Sequence, residues 1–250
     1  MKKILVIEKI HESGIKLLEN RKDFSYEVVE NLEKIFLKNK LVDCDAVSLK
    51  VFKMDKELID SSRKLKIISR HGVGYDNVDI ESLKKKNITL SITSNANAVS
   101  VAEHVFFMML NISKGVGMYD QCVREGNFSE RDKLPLTKEL WKKNILILGF
   151  GRIGKNLIRK CIGFDMNIFV YDPYVDEKII VNLGGKKIND ISKIIKDIDY
   201  VSIHLPATNE TKNLINSKIL NLMKKIAIII NTSRGSVINE LDLNEALNKN

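Results

Sequence analysis

Residues 144–154 read NILILGFGRIG and join a strand-like apolar run to a glycine-rich turn and the start of a helix. In such a turn the first glycine makes the tight bend, the second lets the backbone approach a pyrophosphate, and the third lets helix and strand pack closely. These positions fall to Gly149, Gly151 and Gly154. The amide groups at the helix start then offer a site for an anion. Because glycine triplets also occur in ordinary turns, the stretch alone is a weak indication of a dinucleotide site.

A second strand-like run makes the indication stronger. Residues 167–171 read NIFVY and end at Asp172, eighteen residues after Gly154. A carboxylate at this position can accept hydrogen bonds from the ribose hydroxyls and repels a 2′-phosphate. The nearest basic residue after it is Lys178, so the pattern favours NAD over NADP. Asp172 and Pro173 could also simply begin a turn, which would explain the bend but not the distance from the glycines.

The whole chain alternates strand-like and helix-like segments, which predicts an α/β fold with parallel sheets covered by helices. We expect a domain boundary near residues 94–98, and hence domains at 1–96 and 97–250. The expected strands are 4–7, 26–29, 45–49, 66–69 and 88–92 in the first domain, and 145–148, 168–171, 186–188, 200–203 and 226–230 in the second.

One long helix is expected from Ala98 to about Arg124. Its middle, residues 105–110, is apolar all round, which predicts burial between the domains or against a second subunit. A homodimer is the expected assembly. An irregular stretch from Gly126 to Lys138 then leads into the glycine-rich strand.

Composition excludes several classes of protein. The net charge is +9, but the lysines are scattered in pairs, and residues 84–86 are the only run, with no aromatic or zinc-finger pattern of a nucleic-acid binder. We interpret this charge as a solvated surface that could also attract an anionic ligand. The apolar N-terminal run is too short for a signal peptide or a membrane span. Cys44, Cys122 and Cys161 are far apart without metal-ligand spacing, so we expect core thiols in the cytoplasm and no metal.

Five segments in order resemble one family, the NAD-dependent D-isomer-specific 2-hydroxyacid dehydrogenases, which include D-3-phosphoglycerate dehydrogenase. They are RHGVGYDNVD (70–79), NAVSVAEH (97–104), GFGRIG (149–154), HLPATNET (204–211) and NTSRG (231–235). The resemblance implies a flavodoxin-like substrate domain, then a Rossmann domain, with NAD between them. It also implies reversible oxidation of a D-2-hydroxy acid to a 2-oxo acid. Hydroxypyruvate, glyoxylate, phosphoglycerate and D-lactate enzymes share all five motifs, so the acid is left open.

The resemblance assigns roles to residues of this chain. Arg234 would be catalytic, since a guanidinium can bind the carboxylate of a 2-oxo acid and polarise its carbonyl. Val73 and Gly74 can offer backbone N–H groups to the same carboxylate. The residues that would hold NAD are Gly149, Gly151, Arg152, Ile153, Gly154, Asp172, Leu205, Pro206, Thr211, Thr232, Ser233 and Arg234. Leu205, Pro206 and Thr211 would line the adenine side, and the last three the nicotinamide end.

None of the histidines at positions 71, 104 and 204 is assigned a role in proton transfer. We expect His204 to line the cleft or to be satisfied within its loop, His71 to lie near the substrate through its loop, and His104 to be packed or at an interface.

The family's proton donor, a histidine oriented by a glutamate, follows the arginine segment, whereas no histidine follows His204 here. Glu240 and Glu245 are predicted to be surface charges on a helix that Asn239 caps. We therefore expect a fragment or a prematurely ended reading frame that lacks the last strands and the C-terminal return helix, with an apolar edge at residues 226–230.

Two alternatives accompany the dehydrogenase reading. The chain could be a catalytically dead fragment or an NAD-responsive binding protein similar to the corepressors of this fold, or it could bind nucleic acid. NAD quenching of Trp141 fluorescence without turnover would favour the former. Salt-dependent DNA binding without NAD binding would favour the latter.

Overall fold

The computed structural model describes residues 1–249. The chain divides into two compact units, Met1–Ala96 and Asn97–Asn250. None of the helices within residues 1–249 has both the length and the apolar character needed to span a bilayer.

The first unit is a parallel sheet of five strands in the order β2-β1-β3-β4-β5, which is the flavodoxin-like order. The flavodoxin-like prediction is therefore confirmed. Its strands are β1 (Lys2–Ile7), β2 (Phe24–Val29), β3 (Ala46–Leu49), β4 (Ile67–Arg70) and β5 (Thr89–Ile92). Its helices are α1 (Glu12–Glu19), α2 (Lys34–Leu41), α3 (Lys56–Ser61) and α4 (Ile80–Lys86).

The core of the first unit explains why these strands form. Leu5, Val6 and Ile7 follow one another in β1 and are all inaccessible to solvent. Since successive side chains of a strand point to opposite faces, a continuous apolar run requires cover on both faces. Leu37 and Leu41 of α2 and Leu58 of α3 supply part of that cover.

The second unit is a parallel sheet of five strands in the order β10-β9-β6-β7-β8. Its strands are β6 (Asn144–Leu148), β7 (Asn167–Tyr171), β8 (Lys186–Ile188), β9 (Tyr200–Ile203) and β10 (Ile228–Asn231). Its helices are α5 (Ala98–Lys114), α6 (Val116–Arg124), α7 (Arg152–Ile162), α8 (Glu177–Asn182), α9 (Ile191–Ile194), α10 (Ser217–Leu220) and α11 (Glu240–Asn248), and short 3-10 turns cover Phe128–Lys133, Ile195–Asp197 and Gly235–Val237. This is the predicted Rossmann-like arrangement.

Strand β6 lies at the centre of this sheet and divides its core. Ile145 and Ile147 pack into one cluster with α5 and α7, while Leu146 and Leu148 pack into the cluster on the opposite face. The chain leaves β6 towards β7 on one side and returns to β9 on the other. In open parallel sheets such a reversal of strand order marks the place where ligands bind, at the carboxyl ends of the strands.

The prediction of one helix from Ala98 to Arg124 is wrong. Gly115 has a left-handed backbone (φ +59°) and ends α5, and α6 begins at the next residue. A glycine adopts this conformation without steric cost, which makes it a common helix terminator.

The apolar run at residues 105–110 is also not buried all round. Val105, Phe106 and Met109 lie on one helical face, and they pack into the core of the second unit itself. Phe107 is 56% exposed on the other side. The run therefore contributes to its own unit's core through one face only.

Eight of the ten strands in residues 1–249 differ from their predicted bounds by one or two residues, and one stretch expected to be irregular contains local structure. The stretch from Gly126 to Lys138 contains a 3-10 turn, and β10 begins at Ile228 rather than Ile226. Ile226 is 65% exposed, and Ala227 donates its N–H to the carbonyl of Lys224. These two residues therefore belong to a turn that precedes the strand. Within residues 1–249, β10 pairs with β9 and forms one edge of the sheet.

The predicted cap of the last helix is confirmed. The Asn239 side chain accepts a hydrogen bond from the N–H of Asp242 at the start of α11. Glu240 and Glu245 are exposed on this helix, as predicted.

Candidate functional site

The glycine turn after β6 has the geometry that its sequence predicts. Gly149 adopts φ +92°, and a Cβ there would lie 2.8 Å from the carbonyl oxygen of His204. A Cβ on Gly154 would lie 2.5 Å from the carbonyl oxygen of Gly149. Both contacts are too close for any side chain, so these two glycines are required by the protein's own packing.

Gly151 differs from its two neighbours because a Cβ there would meet no protein atom within 4 Å. It is exposed, and it precedes α7, an eleven-residue helix. The first amides of a helix have no partner within the helix and point outward with the positive end of its dipole. The open space at Gly151 and the free end of α7 together fit a pyrophosphate.

Asp172 lies at the carboxyl end of β7, beside this turn. Its Oδ2 accepts the N–H of Phe150 at 2.8 Å, and its Oδ1 accepts the N–H of Tyr174 at 2.9 Å. The carboxylate thus fixes both the glycine turn and its own loop. Because each carboxylate oxygen can accept a second hydrogen bond, these contacts leave acceptor capacity for ribose hydroxyls.

The loop after β9 is held by its threonines. The Thr211 hydroxyl donates to the carbonyl of Pro206 at 2.6 Å and accepts the N–H of Thr208 at 2.9 Å. Leu205 is buried in the core cluster shared with Leu146 and Leu148, whereas Pro206 is exposed. The internal bonds of Thr211 therefore shape the loop, and Pro206 is its accessible apolar surface.

Both ring nitrogens of His204 lie beside a hydroxyl group of the protein. Its Nε2 lies 2.8 Å from the Ser202 hydroxyl, and its Nδ1 lies 3.5 Å from the Thr232 hydroxyl. Burial lowers the pKa of the His204 imidazole to about 4. The ring is therefore neutral near pH 7, which agrees with the expectation that it is not the acid of the reaction.

The arginine segment follows β10 and is organised by Asn231. The Asn231 side chain accepts bonds from the N–H and the hydroxyl of Ser233 and donates to the carbonyl of Arg234. Arg234 is partly buried, and its Nη1 donates to the carbonyl of Ser233 at 2.9 Å. Sequence reasoning gave Asn231 no role of its own; its signal was its position, three residues before the arginine at a strand end.

The predicted site residues of the second unit lie in loops that follow directly on its strands. Gly149, Asp172, His204 and Thr232 each follow directly on a strand, namely β6, β7, β9 and β10. Since parallel strands end at the same edge, all four loops lie at the carboxyl edge of one sheet. Arg152 is exposed at the start of α7, while Ile153 packs partly against the core.

Val73 and Gly74 belong to a loop of the first unit after β4. Both are partly exposed, and Gly72 before them adopts φ +144° with the Arg70 side chain against it. Asn77 anchors the far side of the loop through a 2.8 Å bond to the carbonyl of Phe52. The loop is thus shaped by side chains at both of its ends.

His71 and His104 are both exposed. His71 lies on the loop after β4, and His104 stacks on Phe107 with ring centroids 6.2 Å apart. His104 is exposed on the outer face of α5, so it is not packed within its own chain, and its place at an interface stays a prediction.

Two open pockets have linings that do not include the strand-end loops of the second sheet. A cavity of about 640 Å³ borders α3 and residues 76–79, and one of about 460 Å³ is lined by Leu110, Trp141 and Phe164. We place the site at the open sheet edge because it carries the glycine turn and the polar strand ends. Residues 1–249 contain no group of three His, Cys, Asp or Glu side chains that could hold a metal.

Trp141 is less suitable as a reporter of cofactor than its place in the sequence suggested. It precedes the amino end of β6, whereas the glycine turn follows the carboxyl end. It is 53% exposed, and the Lys142 ammonium lies 4.1 Å from the centre of its ring.

Comparison with known proteins decides the family. Residues 106–250 match the profile of the D-isomer specific 2-hydroxyacid dehydrogenase, NAD binding domain. The chain belongs to this family. It therefore carries the family's NAD-binding domain, and the geometry at Gly151 and the start of α7 fits that cofactor.

Curated relatives agree with this assignment. The chain is 34% identical to D-3-phosphoglycerate dehydrogenase of Methanocaldococcus jannaschii over 248 residues, which cover 99% of this chain and 47% of the relative. It is 35% identical to glyoxylate reductase of Thermococcus litoralis over 258 aligned positions, covering 98% of this chain and 76% of the relative. The chain thus spans about half the length of the first relative and three quarters of the second.

Among solved structures, D-lactate dehydrogenase from Aquifex aeolicus, complexed with NAD and lactic acid, superposes with a TM-score of 0.86. The two are 29% identical, and the match covers 98% of this chain and 73% of the other.

Proposed function

We propose that this protein serves the NAD-dependent interconversion of D-2-hydroxy acids and 2-oxo acids. The observation that carries the proposal is the set of four loops at one sheet edge, from the open glycine at position 151 to the arginine at position 234. Glyoxylate, hydroxypyruvate and 3-phosphoglycerate are the substrate types to test first, because relatives are named for glyoxylate and phosphoglycerate.

Each part of the edge is assigned one task. Gly151, Arg152 and Ile153 hold the pyrophosphate through backbone N–H groups, and Asp172 accepts hydrogen bonds from the adenosine ribose. On the adenine side, Pro206 offers the accessible apolar surface, while Leu205 anchors the loop in the core and Thr211 shapes it. Thr232, Ser233 and Arg234 follow β10 towards the nicotinamide end. When bound, NAD supplies or accepts the hydride.

Arg234 is assigned the chemistry on the acid. Its guanidinium can bind the substrate carboxylate with two parallel hydrogen bonds and can polarise the carbonyl that becomes an alkoxide. Val73 and Gly74 offer further backbone donors for the carboxylate. The residues flanking them are held by their own bonds, so these amides are positioned in advance.

A direct test measures NAD binding by calorimetry and then turnover with the D and L forms of 3-phosphoglycerate, glycerate and lactate, and with glycolate, which is achiral. We expect NAD to bind at least about tenfold more tightly than NADP, because the ribose site carries a carboxylate. Oxidation of a D acid with no oxidation of its L form would support the full proposal. Absence of NAD binding would refute it.

A second candidate is an NAD-responsive binding protein, and the observation that favours it is His204. The loops after β6, β7 and β10 contain no histidine, and the ring nitrogens of His204 lie beside the Ser202 and Thr232 hydroxyls rather than beside a carboxylate that would orient a proton donor. NAD binding without turnover of any D acid would support this candidate.

We also propose a cytoplasmic homodimer. The three cysteines are free and buried, as expected of a protein in a reducing compartment. Exposed apolar side chains on and beside α5, including Phe107, Ile112 and Trp141, support self-association. Sedimentation equilibrium tests the dimer, and a monomer at micromolar concentration would contradict it.

A further inference from the structure

The side chain of Asn231 makes three hydrogen bonds within the four residues that follow β10. Its Oδ1 accepts the N–H of Ser233 at 2.9 Å and the Ser233 hydroxyl at 2.8 Å. Its Nδ2 donates to the carbonyl of Arg234 at 2.9 Å. One amide thus uses both its acceptor and its donor on the same turn.

The carbonyl of Arg234 is fixed from two directions. It accepts the Asn231 Nδ2–H and also the N–H of Val237, at 3.2 Å. The next residues are held in turn, since the Ile215 N–H donates to the carbonyl of Val237 at 3.1 Å. The backbone of Arg234 is therefore set by a side chain and a 3-10 turn, and an isolated β-bridge between Ile215 and Ile238 holds the residues after that turn.

We propose that Asn231 is a positioning residue that holds Arg234 ready for the carboxylate and carbonyl of a 2-oxo acid. The inference rests on the proposed function and deepens it. A loop that is ordered before substrate arrives loses less conformational entropy on binding, and a bidentate guanidinium depends on its direction. Removing the Asn231 amide therefore weakens binding of the acid while the cofactor sites on β6 and β7 are untouched.

Asn216 provides a matched control. It too accepts a backbone N–H two residues on, from Lys218 at 3.1 Å, and donates to a backbone carbonyl, that of Asn213 at 3.1 Å. It caps α10, and its side chain bonds to residues 213 and 218 rather than to residues 231–235. Asn216→Ala therefore removes a comparable pair of side-chain bonds while every bond of the Asn231 amide stays in place.

The experiment measures the calorimetric affinity of the protein, loaded with the reduced cofactor NADH, for oxamate, an unreactive analogue of the 2-oxo acid that accepts the hydride. We expect Asn231→Ala to weaken oxamate binding by about tenfold to a hundredfold, the loss typical of a misplaced catalytic group. NAD affinity stays within about threefold in the same variant, since the main cofactor contacts lie on other strands. Asn216→Ala changes neither affinity.

A second variant gives a pH signature that a purely structural role lacks. Asn231→Asp keeps the acceptors for Ser233 but, when ionised, cannot donate to the carbonyl of Arg234. Its oxamate affinity, relative to the parent at each pH, is low above the aspartate pKa and recovers when the carboxyl is protonated and can donate. Should Asn231→Ala fail to fold, this variant carries the test.

The outcomes separate the two proposals. If the parent binds NAD but no oxamate, the proposed function fails and the role of Asn231 fails with it. If the parent binds oxamate and Asn231→Ala binds it equally well, only the present inference is overturned. Equal loss of NAD and oxamate affinity would also overturn it. Independently of any ligand, amide hydrogen exchange of residues 231–237 should be faster in Asn231→Ala, and unchanged exchange would contradict the inference.

Discussion

At the scale of single residues, Gly151 and Gly154 lie three positions apart and serve different needs. A Cβ on Gly151 meets no protein atom, and its φ is −75°, so Gly151→Ala should leave the free energy of unfolding within about 0.5 kcal/mol of the parent. The same methyl group would occupy the space assigned to the pyrophosphate. Calorimetry should therefore show NAD affinity reduced by about tenfold or more.

Gly154→Ala is the matched comparison. Its Cβ would lie 2.5 Å from the carbonyl oxygen of Gly149, so this variant should lose about 1–3 kcal/mol of stability in urea unfolding. Normal NAD binding by Gly151→Ala would contradict the placement of the pyrophosphate.

Asp172 carries a structural and a binding role at once. Asp172→Ala should weaken NAD binding and relax the selection against NADP, because the ribose loses its acceptor and a 2′-phosphate loses a repelling charge. Calorimetric titration with both cofactors measures this.

Asp190→Ala controls for the lost turn contacts, since Asp190 likewise accepts a backbone N–H two residues on, from Ser192 at 2.9 Å. Unchanged affinity of Asp172→Ala for both cofactors would refute its assignment to the ribose.

His204 should give the protein a pH-dependent stability. Burial lowers its folded-state pKa to about 4, below the ordinary value of 6.5, so the unfolded chain binds more protons between these values. The contribution is fully present above pH 6.5 and is lost as the pH falls towards 4. A shift of this size is on the order of 3 kcal/mol.

Thermal unfolding at a series of pH values from 4 to 7.5 measures the effect. The melting temperature of the parent should fall more steeply than that of His204→Gln, which has no group titrating in this range. Parallel curves would show that the pKa of the His204 imidazole is the same in the folded and the unfolded chain.

At the scale of elements, one buried hydrogen bond joins α5 to the central region of the second sheet. The Ser113 hydroxyl on α5 lies 2.7 Å from the Tyr200 hydroxyl on β9, and both side chains are buried. Tyr200→Phe should cost about 1 kcal/mol, since Ser113 keeps its bond to the carbonyl of Met109. Urea unfolding measures the loss.

Tyr174→Phe is the control for this substitution. Its hydroxyl donates to Glu210 at 3.2 Å, but the side chain is 83% exposed. Exposed polar contacts contribute little, so we expect a change below about 0.5 kcal/mol. Equal effects of the two variants would mean that α5 is not held through Ser113.

Elements were predicted best where periodicity is strong. The run ILIL of β6 identified a strand covered on both faces, and the fully buried run YVSI of β9 was predicted with its observed bounds. The break at Gly115 was missed because helical periodicity continues on both sides of it, and only the left-handed backbone reveals the end.

Within the site, the sequence identified the residues that belong to a recognisable motif. It missed the contacts that hold those residues in place. Asp172 was found through its distance from the glycines, but its bonds to Phe150 and Tyr174 depend on how two loops meet. The three bonds of Asn231 likewise follow from a turn conformation that local sequence does not specify.

At the scale of the whole molecule, the chain has separate cores. One hydrophobic cluster lies in residues 1–96, and two lie on the faces of the second sheet. A ligand stabilises the part of a protein that must be folded to bind it, by about 2.7 kcal/mol at a hundred times its Kd. NAD should therefore slow amide exchange in β6 and β9 more than in β1 and β3.

Hydrogen exchange with mass spectrometry, with and without saturating NAD, measures this difference. NADP at the same concentration is the control. Equal slowing in both units would show that the chain unfolds as one cooperative structure.

The order of strands in the second sheet also fixes the distance between the loops at its carboxyl edge. Neighbouring strands lie about 4.8 Å apart, so β7 and β10 are separated by three steps, or roughly 14 Å, across the edge. On the proposed assignment, the adenosine half of NAD is recognised at one end of this length and the arginine segment at the other. A nucleotide half, such as AMP, is too short to reach both ends. It should displace NAD while leaving the loop around Arg234 open, so that AMP and a 2-oxo acid can occupy the protein together.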